Sequence, residues 1–114
     1  MNKVLVTLLL SLGLSSAAYA AGGAAIVGDA EAGKTKTAVC GACHGADGNS
    51  AAPNFPKLAG QGEKYLFKQL QDVKSGKRQI VEMTGLLTNL SDQDLADIAA
   101  YYASQSMSVG AADP

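Results

Sequence analysis

Cys40-Gly41-Ala42-Cys43-His44 constrains this chain more than any other stretch. A C-x-x-C-H run is the pattern for covalent haem attachment. Two thiols three positions apart on one helical turn can reach both vinyl groups of a single porphyrin and form thioethers. The next residue then offers its imidazole to the iron from one face. A zinc site needs about four Cys, His or carboxylate ligands in paired clusters, and the chain holds 2 cysteines and 1 histidine. A thioredoxin-like dithiol belongs in a βαβ pattern, and no β-rich segment flanks this one. A disulfide across C-x-x-C closes too small a loop to help the fold much. One covalent haem c is therefore the first reading, with a redox dithiol or a metal site as the alternatives.

The 114 residues allow one domain, and the N-terminus is not part of it. Lys3 supplies a positive start, Val4 to Leu14 is an apolar run, and Ala18-Tyr19-Ala20 is a small-x-small cleavage pattern. A membrane span takes roughly 17–25 residues, so the run is too short for an anchor. Residues 1–20 are expected to be a cleaved signal peptide and 21–114 the mature domain, which places the protein in the periplasm. Export suits the haem, because thioether attachment in bacteria is expected outside the inner membrane. With no Trp and 2 Phe the peptide core is thin. A buried porphyrin would supply the missing apolar mass, so the haem-free chain is expected to fold poorly, by analogy with metal-coupled folding.

The remaining pattern is helical. Asp29 is an N-cap for a helix from Ala30 to Val39 that runs into the cysteines, with Gly33 as a point of close helix approach or merely a tolerated weak helix former. From Gly45 to Pro56 the chain is dense in Gly, Asn and Pro and reads as a loop. A histidine ligand usually donates its other ring N–H to a fixed acceptor. The Pro53 carbonyl is the candidate over Pro56, which starts the next turn. A second helix spans Gly62 to Ser75, ended by Gly76, with an apolar stripe at Leu66, Leu70 and Val73. The last helix is N-capped by Ser91 with Asp94 three residues on, and Leu90 and Leu95 form a hydrophobic staple. Leu95, Ile98, Ala99 and Tyr102 share its apolar face. No segment alternates long enough for a sheet, so the class is all-α.

The sixth iron ligand decides what such a haem does. No second histidine exists, and Met1 leaves with the signal peptide, so Met83 and Met107 remain. A thioether raises the potential of a His-ligated haem. Met83 lies 39 residues beyond His44, enough chain to reach the opposite haem face, whereas Met107 falls in a Ser/Gly/Ala tail. Met83 is the expected axial partner of His44; Met107 or an open position is the alternative.

These features resemble class I cytochrome c, and the stretches CGACHGADGNSAAPNFPKLAGQGEKYLFKQLQDVKSGKRQ and MTGLLTNLSDQDLADIAAYYASQ are similar to one half of the periplasmic two-domain dihaem cytochromes. The resemblance implies a small fold of about three to five helices around one haem, with the N- and C-terminal helices crossing. It implies thioethers at Cys40 and Cys43, axial ligation by His44 and Met83, and Pro53 orienting His44. Gly33 would meet Tyr101 or Tyr102 at the crossing. The departure is the single C-x-x-C-H, which leaves open a natural single-haem protein or half of a dihaem one and makes self-association a further expectation.

Charge is unevenly spread. Residues 57–78 sum to +4, while 79–114 sum to −5 with no basic residue. That asymmetry would orient the protein as it meets a charged redox partner; ordinary solvated helix faces are the plainer alternative. Nucleic-acid binding does not fit this balance. The reading is a one-electron carrier, not an enzyme, between a membrane quinol-oxidising complex and a terminal oxidase or reductase. A gas sensor or peroxidase-like enzyme with an open sixth site is the alternative, and a haem module of a larger complex is the third.

Overall fold

A computed structural model describes residues 25–109; the expected leader and its cleavage site lie outside the described residues. Among the described residues four helices occur in the order α1 (Ala30–Lys34), α2 (Ala38–His44), α3 (Glu63–Ser75) and α4 (Asp92–Ser104), with a 3-10 turn at Val81–Met83 before the last. There is no strand among the described residues. None of these helices is long and apolar enough to cross a membrane.

The first helix is not continuous, contrary to the expectation of one helix from Ala30 into the cysteines. Asp29 caps α1 as expected, its side chain accepting from the N–H groups of Glu31 and Ala32. The break falls at residues 35–37, where two threonine hydroxyls turn back on the chain. Thr35 Oγ1 donates to the Ala32 carbonyl at 2.9 Å and Thr37 Oγ1 to the Lys34 carbonyl at 3.0 Å. Such local side-chain bonds compete with the helical ladder. The result is that α2 takes its own direction and carries the cysteines and histidine on one short element.

α3 ends as anticipated, with Gly76 in the left-handed conformation at φ 80°. α4 carries both bonds of the capping box: Asp94 N–H donates to Ser91 Oγ at 3.1 Å, and Ser91 N–H donates to Asp94 Oδ2 at 2.9 Å. The core is built on α4. Leu95, Ile98, Ala99 and Tyr102 are all at most 1% exposed, and Leu66 of α3 packs against the last three. Each large apolar side chain so buried contributes about 1.5–3 kcal/mol.

The reverse side of α4 is also covered, which the single apolar stripe did not suggest. Ala96, Asp97 and Ala100 are buried because the chain of α1 crosses there at backbone contact distance. A Cβ placed on Gly33 would lie 1.9 Å from the Asp97 carbonyl oxygen and 2.9 Å from Tyr101 Cβ. Gly28 is equally close to the Ala96 carbonyl, at 2.2 Å. Gly33 is therefore a close-approach residue, and the aromatic it meets is Tyr101.

A charged cluster closes this crossing. Lys36 Nζ lies 2.7 Å from both Asp94 Oδ1 and Asp97 Oδ2. The Asp97 side chain is 4% exposed, and its Oδ1 accepts from the Asp29 N–H at 2.8 Å and from Gln93 Nε2 at 2.9 Å. A buried carboxylate is tolerated only with such partners. The Lys36 ammonium holds Asp97 below the usual carboxylate range. The same ammonium and the Ser91 cap bonds bring Asp94 down to about 2, and both carboxylates raise Lys36.

Candidate functional site

One cavity of about 340 Å³ gathers nearly every residue singled out from the sequence. Cys40, Cys43 and His44 line it from α2, Met83 from the 3-10 turn, and Leu66, Leu70, Ile98 and Tyr102 from α3 and α4. Both cysteines are free thiols. Burial is the main cause of a raised Cys40 pKa. No group of three or more His, Cys, Asp or Glu side chains that could hold a bare metal ion occurs among the described residues.

His44 is 8% exposed at the C-terminal end of α2. Its Nδ1 lies 2.8 Å from the Pro56 carbonyl oxygen. A carbonyl can only accept, so Nδ1 carries a proton and donates, and in the neutral ring Nε2 is then the nitrogen fit to ligate. The orienting carbonyl is thus that of Pro56, not of Pro53 as expected. Pro53 is exposed and occupies the corner of a turn closed by Phe55 N–H to Ala52 O at 3.2 Å. Proline at that position fixes the turn, and the reversal delivers the next residues to the imidazole: Phe55 meets it edge-on with centroids 6.3 Å apart.

The loop is pinned from its other side by α4. Gly48 accepts from the Leu58 N–H at 2.8 Å, Gly60 N–H donates to the Tyr102 carbonyl at 3.0 Å, and Tyr101 Oη donates to the Ala46 carbonyl at 2.9 Å. A Cβ on Gly48 would lie 2.7 Å from the Tyr102 ring, so only glycine lets the loop lie flat on that aromatic.

Met107 is 48% exposed and packs beside Gly60, apart from the cavity lining. Met83 lies partly buried on the cavity wall. The Met83 segment is held lightly: Val81 and Leu86 are 83% and 45% exposed, and Leu87 is its one buried side chain.

These residues fit a haem c. Two free thiols and an oriented imidazole stand together, a thioether shares their cavity, and Leu58, Leu66, Leu70, Leu86, Leu87 and Leu90 supply apolar wall. Tyr102 supplies an independent sign. It is 1% exposed, it lines the cavity, and its hydroxyl is the one buried side-chain polar atom among the described residues with no hydrogen-bond partner. Leaving such a group unpaired costs about 1–3 kcal/mol, and burial pushes its pKa up strongly. Sequence reasoning placed Tyr102 on the apolar face of α4 without assigning it to the cavity. It also missed Gln69, which lines the same space and gave no local signal, whereas Arg78 and Lys57 of the basic stretch 57–78 line it too.

Fold and site together define a small helical domain for one covalently bound haem c. The family model for cytochrome c matches residues 30–106, and the chain belongs to that family. Cytochrome c4 of Pseudomonas aeruginosa is 74% identical over 114 residues, covering 100% of this chain and 54% of that protein. Cytochrome c-554(548) of Halomonas halodenitrificans is 47% identical over 81 residues, covering 68% of this chain and 98% of the relative. The crystal structure of reduced recombinant cytochrome c4 from Pseudomonas stutzeri superimposes with a TM-score of 0.74 at 67% identity, over 77% of this chain and 51% of that one. The chain spans about half the length of the cytochrome c4 relatives it matches, which corresponds to one domain of such a protein.

Proposed function

We propose that this domain is a periplasmic one-electron carrier, with Cys40 and Cys43 holding the haem as thioethers and His44 and Met83 as its axial ligands. It would take one electron from a membrane quinol-oxidising complex and pass it to a terminal oxidase or reductase. The observation that carries this reading is the single cavity walled by both the oriented His44 and Met83. Bound haem supplies the reversible one-electron couple of its iron. The chain's part is to hold and insulate that iron. Pro56 fixes the His44 tautomer, Leu66 and Leu70 of α3 with Ile98 of α4 exclude water, and the partly exposed cavity mouth at Tyr65 and Val39 leaves an edge for transfer. A saturated iron exchanges electrons without binding substrate, which is why an electron carrier is favoured over an enzyme. Mature residues 21–114 would follow removal of the leader.

Oxidised and reduced absorption spectra of the wild type and Met83→Ala test the ligand set. The wild type should show the weak far-red ferric thioether band and bind CO slowly when reduced. Met83→Ala should lose the band and bind CO rapidly. A wild type that already binds CO rapidly at neutral pH would replace this reading with the open-site one.

A further inference from the structure

Beyond α4, residues 106–109 carry no regular structure and are exposed, yet side chains of the histidine-side loop tie them down. Asn49 grips them as a neighbouring strand would. Its Nδ2 donates to the Ser106 carbonyl at 2.8 Å, and the Ser108 N–H donates to its Oδ1 at 2.7 Å. Asp47 fixes which way this amide faces: its Oδ1 accepts from the Asn49 N–H at 2.9 Å and its Oδ2 from Asn49 Nδ2 at 3.0 Å. Turned over, the amide would set its oxygen against a carboxylate and a carbonyl, neither of which can donate. The Asn49 amide in turn holds Asp47 below the usual carboxylate range. Lys57 adds a further tie, its Nζ donating to the Ser108 carbonyl.

These ties converge on one backbone carbonyl. Lys57 follows Pro56 directly, and the N–H groups of Leu58 and Ala59 donate to the Gly48 carbonyl, next to Asn49, at 2.8 and 3.2 Å. The tail, Asn49, Gly48, Leu58 and Lys57 thus close a ring of contacts around the backbone that presents the Pro56 oxygen to His44 Nδ1. We propose that Asn49, aided by Lys57, straps residues 106–108 across this loop and so positions the Pro56 carbonyl against His44, holding the reduction potential of the iron down. A firm bond from Nδ1 makes the imidazole a more basic ligand, and a more electron-rich ligand favours ferric iron; a loosened bond favours the ferrous state. Asn49 is a positioning residue: it lines neither cavity and acts through the loop. The inference rests on the reading of His44 as an iron ligand.

Two measurements on the matured holoprotein test it: the exchange rate of the His44 Nδ1 proton by NMR in the ferrous state, and the potential by spectroelectrochemistry. Asn49→Ala, which changes no charge, should speed the exchange several-fold and raise the potential. Ser108→Pro removes the partner N–H from the tail side and should act in the same direction. The double variant should do little more than the larger single change, because both break one clamp. Ser106→Ala is the control: only the backbone carbonyl of Ser106 meets Asn49, so both readings should match the wild type. Unchanged exchange and potential in Asn49→Ala, even with a lowered melting temperature, would reduce the strap to a structural tie and overturn the proposal. A fall in potential, or full additivity of the two changes, would overturn it as well. The far-red ferric band, recorded on the same samples, reports the His44–Met83 reading separately, since these variants leave both ligands in place.

Discussion

The crossing of α1 with α4 and the Met83 segment are built on opposite principles. At the crossing, Gly28 and Gly33 bring two backbones into contact and a lysine is shared by two carboxylates, one of them buried. Between α3 and α4, residues 79–90 form a 3-10 turn and successive hydrogen-bonded turns, with Leu87 as the one buried side chain. The peptide alone completes the first region. The second borders two cavities and offers the chain little to pack on except what the haem would provide. The ends of the domain are thus locked by the peptide itself, while the Met83 segment is held by far fewer contacts.

The comparison is broken most severely at its glycines. Gly33→Ala should destabilise the holoprotein by about 3 kcal/mol, because the new Cβ collides with backbone that cannot move aside. Gly85→Ala should cost about 1–2 kcal/mol, the penalty of a left-handed residue at φ 79° with nothing within 4 Å of the added methyl. Denaturant unfolding of both variants measures the difference; equal losses would mean the crossing is no tighter than the loop.

A smaller effect is expected from the charges of the crossing. Asp94 and Asp97 have folded pKa values below their ordinary 3.8, so their contribution is present above about pH 4 and fades as pH falls toward 2. Lys36 is raised above 10.5, so its contribution is present below that pH and is lost only as pH climbs through the higher folded value. Asp97→Asn should lower the melting temperature at pH 7 and flatten its fall between pH 4 and 2. A variant with the same acid profile as the wild type would remove the cluster from the account of stability.

The smallest effect lies on the outer face of α3. Lys68 is paired with Asp72 at 2.6 Å, whereas Lys64 is exposed and makes no ion pair among the described residues. Charge reversal at Lys64 should slow association with an acidic redox partner several-fold at low salt, and reversal at Lys68 less so, with both differences shrinking as salt rises. Rates that ignore both changes would argue against steering by this face.

Much of this was legible in the chain because it is encoded locally. The C-x-x-C-H run specifies a covalent haem within five residues. Asp29, Ser91 with Asp94, and Gly76 mark helix ends through bonds spanning a few positions. The resemblance carried by the two quoted stretches agrees with the family found by comparison. The errors lie where distant segments meet. Pro53 is the expected acceptor because Pro56 reads as the start of the next turn, and only the turn at Ala52–Phe55 decides which carbonyl reaches His44. Asp97 counted among the acidic residues of the last stretch, yet it is buried because α1 crosses over it.

The sequence by itself determined the haem, the helical class and the candidate ligands, since each follows from residue type at fixed short spacing. Tertiary structure decided the acceptor of the histidine proton, the burial of Asp97 and the placing of Arg78 at the cavity. Those depend on chain reversals and crossings, which bring together groups whose separation in sequence carries no record of their distance in space.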